Sequence, residues 1–239
     1  MNVADFENLI ITALKTAVQD IIEANPTLPI AVKQGERQGD AISKFLENAF
    51  VEYTQNHPCF KNTQASSTGN TKSPYDVETF FEYNGHRELV WIDFKAFNIA
   101  NKDSNPDSGT PNKIIKLIEN GSFYLAYVFV FYEGSNSGLS FVQKDDAYVK
   151  AYLLKDISKT VRITPANQLQ IDYLKPPQYR IREAFLLFLM EKKKQSFIRQ
   201  LEKAQKSLEN LDRGIVLGNI TLESLLKENQ KQEENIKNL

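Results

Sequence analysis

The most constraining feature of the sequence is Asn84-Gly85, set between two segments rich in β-branched and aromatic residues, Val77 to Tyr83 and Glu88 to Lys95. Asn-Gly accepts the positive φ angles of a type I′ turn, whose twist matches that of the strands it joins. The two segments are therefore predicted to pair as an antiparallel hairpin. Residues equidistant from the turn then face one another, which brings Asp76 opposite Asp93. In the second strand Val90, Ile92 and Phe94 alternate with Leu89, Trp91 and Asp93, and both faces are largely apolar. That is the pattern of a central strand covered on both sides.

Helices are expected before and after this region. From Val3 to Ile22 the apolar residues recur at intervals of three and four, one face of a helix that Asn25-Pro26 stops. Pro26 to Gln38 reads as a linker carrying Lys33 and Arg37. A second helix is expected from Asp40, burying Ile42, Phe45, Leu46, Ala49, Phe50 and Tyr53. The polar stretch Asn56 to Ser73 reads as an exposed loop, as does Asn98 to Thr110. Pro111-Asn112 opens a short helix with Ile114, Ile115, Leu117 and Ile118, which Gly121 ends. Phe123 to Tyr132 is the most strongly apolar strand. Leu139 to Val142, Tyr148 to Leu154 and Val161 to Ile163 add strands or a helix. The chain reads helical from Ile181, is interrupted at Gly214 and Gly218, and resumes from Thr221 to Lys237. The expected architecture is α/β (α+β), with a mixed central sheet flanked by helices. Residues 1–180 form the core, and 181–239 form a helical arm packed on that core or on a partner subunit.

Cys59 is the sole cysteine, and His57 and His86 are the two histidines. An intramolecular disulfide, a cysteine-based zinc site and a histidine-rich metal centre are all excluded by these counts. A reducing, cytoplasmic setting fits them. No apolar run approaches the ~20 residues of a membrane span, and Met1 to Phe6 lacks the basic start of a signal peptide. The net charge is −1, from 29 basic and 30 acidic residues. This argues against a general nucleic-acid coat protein but leaves room for a local basic cleft.

The chemistry centres on Pro74-Tyr75-Asp76 and Asp93-Phe94-Lys95. Strand alternation puts Asp93 and Lys95 on one face and turns Phe94 into the core. Two carboxylates meeting at the end of a sheet offer hard oxygen ligands of the kind Mg²⁺ takes, with positions left for water and phosphate oxygens. Lys95 beside them would orient an attacking water and stabilise developing charge. The plainer alternative is a surface ion pair worth ~0–1 kcal/mol. Against it stands the apolar run Leu89 to Phe97, in which a charge is costly unless paired or metal-bound. Glu78, on the same strand face as Asp76, is a reserve acid or a solvated or salt-bridged strand residue. His86 beside the turn is a base only if it is not simply exposed.

The Pro-x-Asp and Asp-x-Lys pair resembles the PD-(D/E)XK nuclease superfamily, and within it the type II restriction endonucleases. The resemblance covers residues 36–132 and departs from the family pattern at Tyr75, which separates the proline from the acid. It implies a restriction-endonuclease-like fold, with Asp76 and Asp93 as metal-binding acids, Lys95 as the catalytic lysine and Mg²⁺ as cofactor. The helix around Gly39 to Glu47 is similar to the one that precedes the core in such enzymes. There Asp40, Ser43 and Glu47 share a polar flank, and Glu47 is an additional metal-site candidate or a solvated glutamate. The substrate implied is a short specific duplex DNA sequence, cut by a homodimer whose symmetry mirrors a palindromic site. Lys33, Arg37, Lys44, Asn98, Asn101, Lys102 and Asn112 are the DNA-contact candidates, with Lys61 and Lys72 as further cleft cations. Two alternatives remain open at this level: a structure-specific repair, recombination or phage nuclease of the same fold, and a non-enzymatic helical interaction protein.

Overall fold

The computed structural model describes residues 1–29, 38–66, 75–100, 109–119, 124–135, 138–173, 175–212, 215–216 and 220–237. Helix α1 (Val3–Ala24) opens on a capping box, in which the Asn2 side chain accepts from the Asp5 N–H and the Asp5 carboxylate accepts from the Asn2 N–H. It is followed by β1 (Thr27–Leu28), α2 (Gln38–Thr54), β2 (Phe60–Ala65), β3 (Val77–Tyr83), β4 (His86–Asn98), α3 (Pro111–Glu119), β5 (Tyr124–Ser135), β6 (Gly138–Phe141) and β7 (Val149–Leu153). Two small hairpins, β8 (Arg162–Ile163) with β9 (Leu169–Gln170) and β10 (Ile215–Val216) with β11 (Ile220–Thr221), alternate with α4 (Arg182–Asp212) and α5 (Leu222–Lys237).

One seven-stranded sheet runs in the order β1-β6-β5-β4-β3-β2, with β7 also on β5. Its central pair, β4 and β5, is parallel, and the other pairings are antiparallel. A parallel pair needs a crossover, and α3 lies in it. On one face α1 and α2 bury Phe6, Ile10, Leu14, Ile42, Leu46 and Phe50 against Val77, Val90, Ile92 and Phe94. On the other, Trp91, Phe97, Tyr127 and Phe129 are covered by Ile114 of α3, by Leu154 to Tyr173, and by Phe185 and Leu189 of α4. Both faces of β4 are thus buried, as its alternation predicts. Phe94 is 2% exposed, and its truncation to alanine would cost about 3–5 kcal/mol.

The hairpin pairs Val77 with Ile92 and continues to Tyr83 with His86, the register expected from Asn84-Gly85. Both turn residues have positive φ, 49° and 78°. The reading of Asn56 to Ser73 as loop is corrected for its first half: Phe60–Ala65 forms the edge strand β2 on β3, while 67–73 lie outside the described residues. A single buried side chain, Phe60, anchors β2. Pairing to β3 offsets a polar sequence with little intrinsic strand signal, as edge positions often do. Within the linker, Thr27–Leu28 pairs with β6. The strands left ambiguous in sequence are β6, β7 and β8. Gly121, Gly214 and Gly218 lie outside the described residues.

The chain divides into two compact units, Met1–Leu189 and Met190–Leu239. Through Phe185 and Leu189 the first two turns of α4 belong to the first unit. No helix among the described residues is long and apolar enough to cross a membrane.

Candidate active site

Asp76 lies immediately before β3. Its N–H donates to Ile92 O at 2.8 Å, its C=O accepts from Ser66 N at 2.7 Å, and its Oδ2 accepts from the Phe94 N–H at 2.7 Å. The carboxylate is thereby tied to the peptide unit between Asp93 and Lys95. Asp93 is buried, at 8% exposure, on the face opposite Phe94. Lys95, two residues on and on the same face, places Nζ 2.8 Å from Asp93 Oδ2. No aligned hydrogen bond reaches that oxygen, so its compensation is the ammonium charge.

Burial and the charge of Asp93 push the Asp76 carboxyl up to about 7, against the lowering effects of the Phe94 N–H and Lys95; Glu47 adds a smaller upward push. Burial also raises Asp93, opposed by Lys95. Two carboxyls that resist ionisation side by side signal an unmet demand for positive charge.

Helix α2 braces the same stretch of β4. Ser43 Oγ donates to Phe94 O at 3.3 Å, so both polar groups of the Phe94 peptide are used. A Cβ on Gly39 would stand 3.3 Å from Ala96 O, which shows how closely the first turn approaches the strand. Glu47 is near enough to influence Asp76, and it is ion-paired with Lys44 at 2.5 Å. Asp40 instead acts on Tyr132, whose hydroxyl is raised first by burial and then by that charge.

The other sequence candidates fall as follows. His86 is exposed beside the hairpin turn, about 20 Å of extended strand from Asp93. Glu78 is half-buried and engaged by Tyr75 and Trp91. Asn98 ends β4, and its side chain accepts from Ala100 N at 2.9 Å. Asn112 is exposed at the start of α3. Lys61 donates to His57 O. Lys33, Arg37, Lys72, Pro74, Asn101 and Lys102 lie outside the described residues. Sequence reasoning missed the Ser43 bond and the Tyr75–Trp91 stack, since neither is encoded by spacing along one element.

Among the described residues no three His, Cys, Asp or Glu side chains converge into a ready metal cage. The donor set nevertheless suits a divalent cation. Asp93 offers an enclosed carboxylate oxygen without an aligned donor, Asp76 adds a second, and hard oxygen ligands match Mg²⁺.

No curated protein matches the sequence. The chain is similar to the solved structure of NlaIV restriction endonuclease at 13% identity, with a TM-score of 0.46, covering 88% of this chain and 90% of that one. Residues 2–211 match the SwaI-like family, described as SwaI restriction endonuclease. That match spans β3, β4 and both acids, and the chain belongs to the SwaI-like restriction endonuclease family.

Proposed function

We propose that the chain is a type II restriction endonuclease of the PD-(D/E)XK kind, hydrolysing phosphodiester bonds within a short specific sequence of duplex DNA. The observation that carries this is the tie of Asp76 Oδ2 to the Phe94 N–H, which brings its carboxyl within reach of the Asp93 charge just past the last hairpin pair, with Lys95 Nζ 2.8 Å from Asp93.

Asp76 and Asp93 would hold Mg²⁺, with Glu47 of α2 as an additional ligand candidate. When bound, the ion would supply charge to offset that of the phosphate and to acidify water. The Phe94 N–H holds Asp76 Oδ2 against the strand and so fixes the orientation of the carboxylate. Lys95 orients the attacking water and stabilises the charge that develops on the phosphate. The water oxygen bonds to phosphorus as one phosphorus–oxygen ester bond breaks. The attacking water gives up one proton to solvent as it adds, and the departing alkoxide takes one up from solvent. Lys33, Arg37, Lys44, Asn98, Asn101, Lys102 and Asn112 are proposed to contact DNA, and a cytoplasmic location is proposed for the protein.

The working form is a homodimer joined through α4. Leu187, Met190, Lys194, Phe197, Leu201, Ala204, Leu208 and Leu211 recur at alternating steps of three and four, the seam of a coiled coil. Leu187, Leu201 and Leu208 are at least 60% exposed. The occupant proposed is a second copy, antiparallel and centred on Arg199. That register sets Lys194 across from the small Ala204 and Phe197 across from Leu201, so the seam complements itself.

The test is incubation of the purified protein with a mixed-sequence plasmid and Mg²⁺, followed by sequencing of the ends. Discrete fragments sharing one end sequence are expected, and Asp93→Ala and Lys95→Ala are expected to yield none. Wild-type cutting by either variant would remove the site assignment. Cuts confined to junctions or ends would replace restriction with a structure-specific nuclease.

A further inference from the structure

Beside the two acids lies a cluster that the proposed reaction does not use. Glu78 and Trp91 face each other directly across the hairpin. Glu78 Oε2 accepts from Tyr75 Oη at 3.0 Å and from Trp91 Nε1 at 3.3 Å, while Oε1 accepts from the Gln64 side chain on β2. The rings of Tyr75 and Trp91 stack at 4.9 Å with 12° between their planes.

The chain positions of these groups matter. Tyr75 immediately precedes Asp76, and Trp91 lies two residues before Asp93 on the same face of β4. Asp76 stands outside β3, where the regular ladder has ended. The Tyr75–Trp91 stack therefore continues the hairpin by side chains where the backbone pairing stops. We infer that Glu78 is a positioning residue for the cleavage site: it locks Tyr75 onto Trp91 and thereby sets the separation of Asp76 from Asp93. This rests on the nuclease reading of those acids.

Glu78 has the form of a clamp rather than of a spare ligand. Both of its oxygens are already turned to donors, from β2, from β4 and from the segment before β3. An aromatic ring pair with a shared acceptor is also stiffer than either contact alone, because the stack fixes the ring planes and the two donors fix their rotation. An acid displaced by an ångström at a reacting centre costs on the order of 100-fold in rate. The clamp thus bears on catalysis without touching substrate.

The experiment compares Glu78→Gln, Glu78→Leu and Tyr75→Phe in single-turnover cleavage, DNA affinity and quenching of Trp91 fluorescence by acrylamide. Trp91 is the only tryptophan in the chain, so its emission reports the stack alone. Glu78→Gln keeps an acceptor for both donors and is expected to cut at a rate within about threefold of wild type. Glu78→Leu keeps the bulk but no acceptor. Its cleavage rate is expected to fall by at least about tenfold, with DNA affinity unchanged and Trp91 more readily quenched. Tyr75→Phe, which retains the stack and should fold, is expected to lie between the two. Wild-type cutting by Glu78→Leu, or a Glu78→Gln protein as slow as Glu78→Leu, would overturn the inference; the second result would make the charge itself the requirement. Asp93→Ala in the same assay separates the two hypotheses. If it cuts like wild type, the nuclease site is misassigned, whereas a silent Asp93→Ala beside a fully active Glu78→Leu removes only the clamp. Unchanged quenching in Glu78→Leu and in Tyr75→Phe would also reject it, whatever the cleavage assay shows.

Discussion

Asp76 Oδ2 accepts a hydrogen bond from the Phe94 N–H at 2.7 Å. One acid of the site is thus fastened to the peptide that separates the other acid from the lysine. The bond makes the length of the Asp76 side chain a requirement, not only its charge. Asp76→Glu adds a methylene and cannot keep both that bond and its place beside Asp93. Cleavage by Asp76→Glu is expected to fall about 100-fold, and by Asp76→Asn at least as far. A Glu variant within tenfold of wild type in a single-turnover assay would show that charge alone suffices.

The same carboxyl predicts a stability of the metal-free protein that depends on pH. The Asp76 carboxyl lies at about 7 in the folded chain against an ordinary 3.8. Between those values the folded state holds the proton that the unfolded state has released, so stability falls as pH rises through that window. The full shift corresponds to roughly 4 kcal/mol, and Asp76 is only partly enclosed, so about 1–2 kcal/mol is expected. Thermal melts in chelator from pH 4 to 8 should show the decline in wild type and a flatter curve in Asp76→Asn. Added Mg²⁺ should restore stability chiefly above pH 7, where the acid is ionised. A wild-type curve as flat as that of Asp76→Asn would place the carboxyl at an ordinary value.

The hairpin and its register were legible because one dipeptide, Asn84-Gly85, determines both, and every pair from Val77–Ile92 to Tyr83–His86 follows from it. Asp76 lies one residue beyond the last pair of that register and is held to β4 by bonds to Ile92 O and the Phe94 N–H. The two-sided burial of β4 was legible in its alternation, since both sets of alternate residues are apolar. What escaped was whatever depends on a partner elsewhere in the chain. Strand β2 has one buried residue at Phe60 and is a strand because β3 offers it an edge. The Ser43 bond to Phe94 O crosses from helix to sheet over 51 positions. The burial of Lys155 against Glu7 joins α1 to the turn after β7. A one-dimensional pattern carries no record of such meetings.

Lys95 compensates the buried charge of Asp93, at 2.8 Å. Lys95→Met keeps the length and removes the ammonium, leaving that carboxylate buried without this counter-charge. Cleavage is expected to fall by about 1,000-fold, as for other groups that stabilise a developing anion. At pH 8 in chelator the variant should also melt several degrees below wild type, since uncompensated buried charge costs a few kcal/mol. Mg²⁺ should narrow that gap. An unchanged melting temperature would mean that the pair adds nothing to the fold.

The α4 seam predicts a concentration-dependent dimer. Leu201 and Leu208 are 60% and 61% exposed, so replacing both by glutamate should leave the subunit folded while placing charge in the seam. Sedimentation equilibrium should find wild type dimeric and Leu201→Glu/Leu208→Glu monomeric, with circular dichroism unchanged. A wild-type monomer at micromolar concentration, or a dimeric double variant, would reject the seam as the interface.

A last prediction separates stability from catalysis. Lys155 Nζ, its side chain 1% exposed, sits 2.8 Å from Glu7 Oε2, 2.8 Å from Asp156 Oδ1 and 2.8 Å from Arg180 O. The Tyr179 ring lies 4.1 Å beneath it. The cluster ties α1 to the turn after β7 and to the chain entering α4, and no residue of it belongs to the Asp76–Asp93 site. Removing one partner strands a charge in a low-dielectric interior, so Lys155→Met is expected to cost about 3–5 kcal/mol. Glu7→Gln should cost less, because the amide keeps the size and a polar oxygen beside the ammonium and only the charge attraction is lost. The pair Glu7→Leu/Lys155→Met should recover part of the loss, since no ammonium then needs a counter-charge, although Asp156 keeps Lys155 from being replaced without cost. Urea denaturation measures all three. At a temperature where each variant is folded, its cleavage rate and Mg²⁺ requirement should match wild type. A stable Lys155→Met would mean that water replaces the lost contacts, and a changed Mg²⁺ requirement would mean that this network reaches the acids after all.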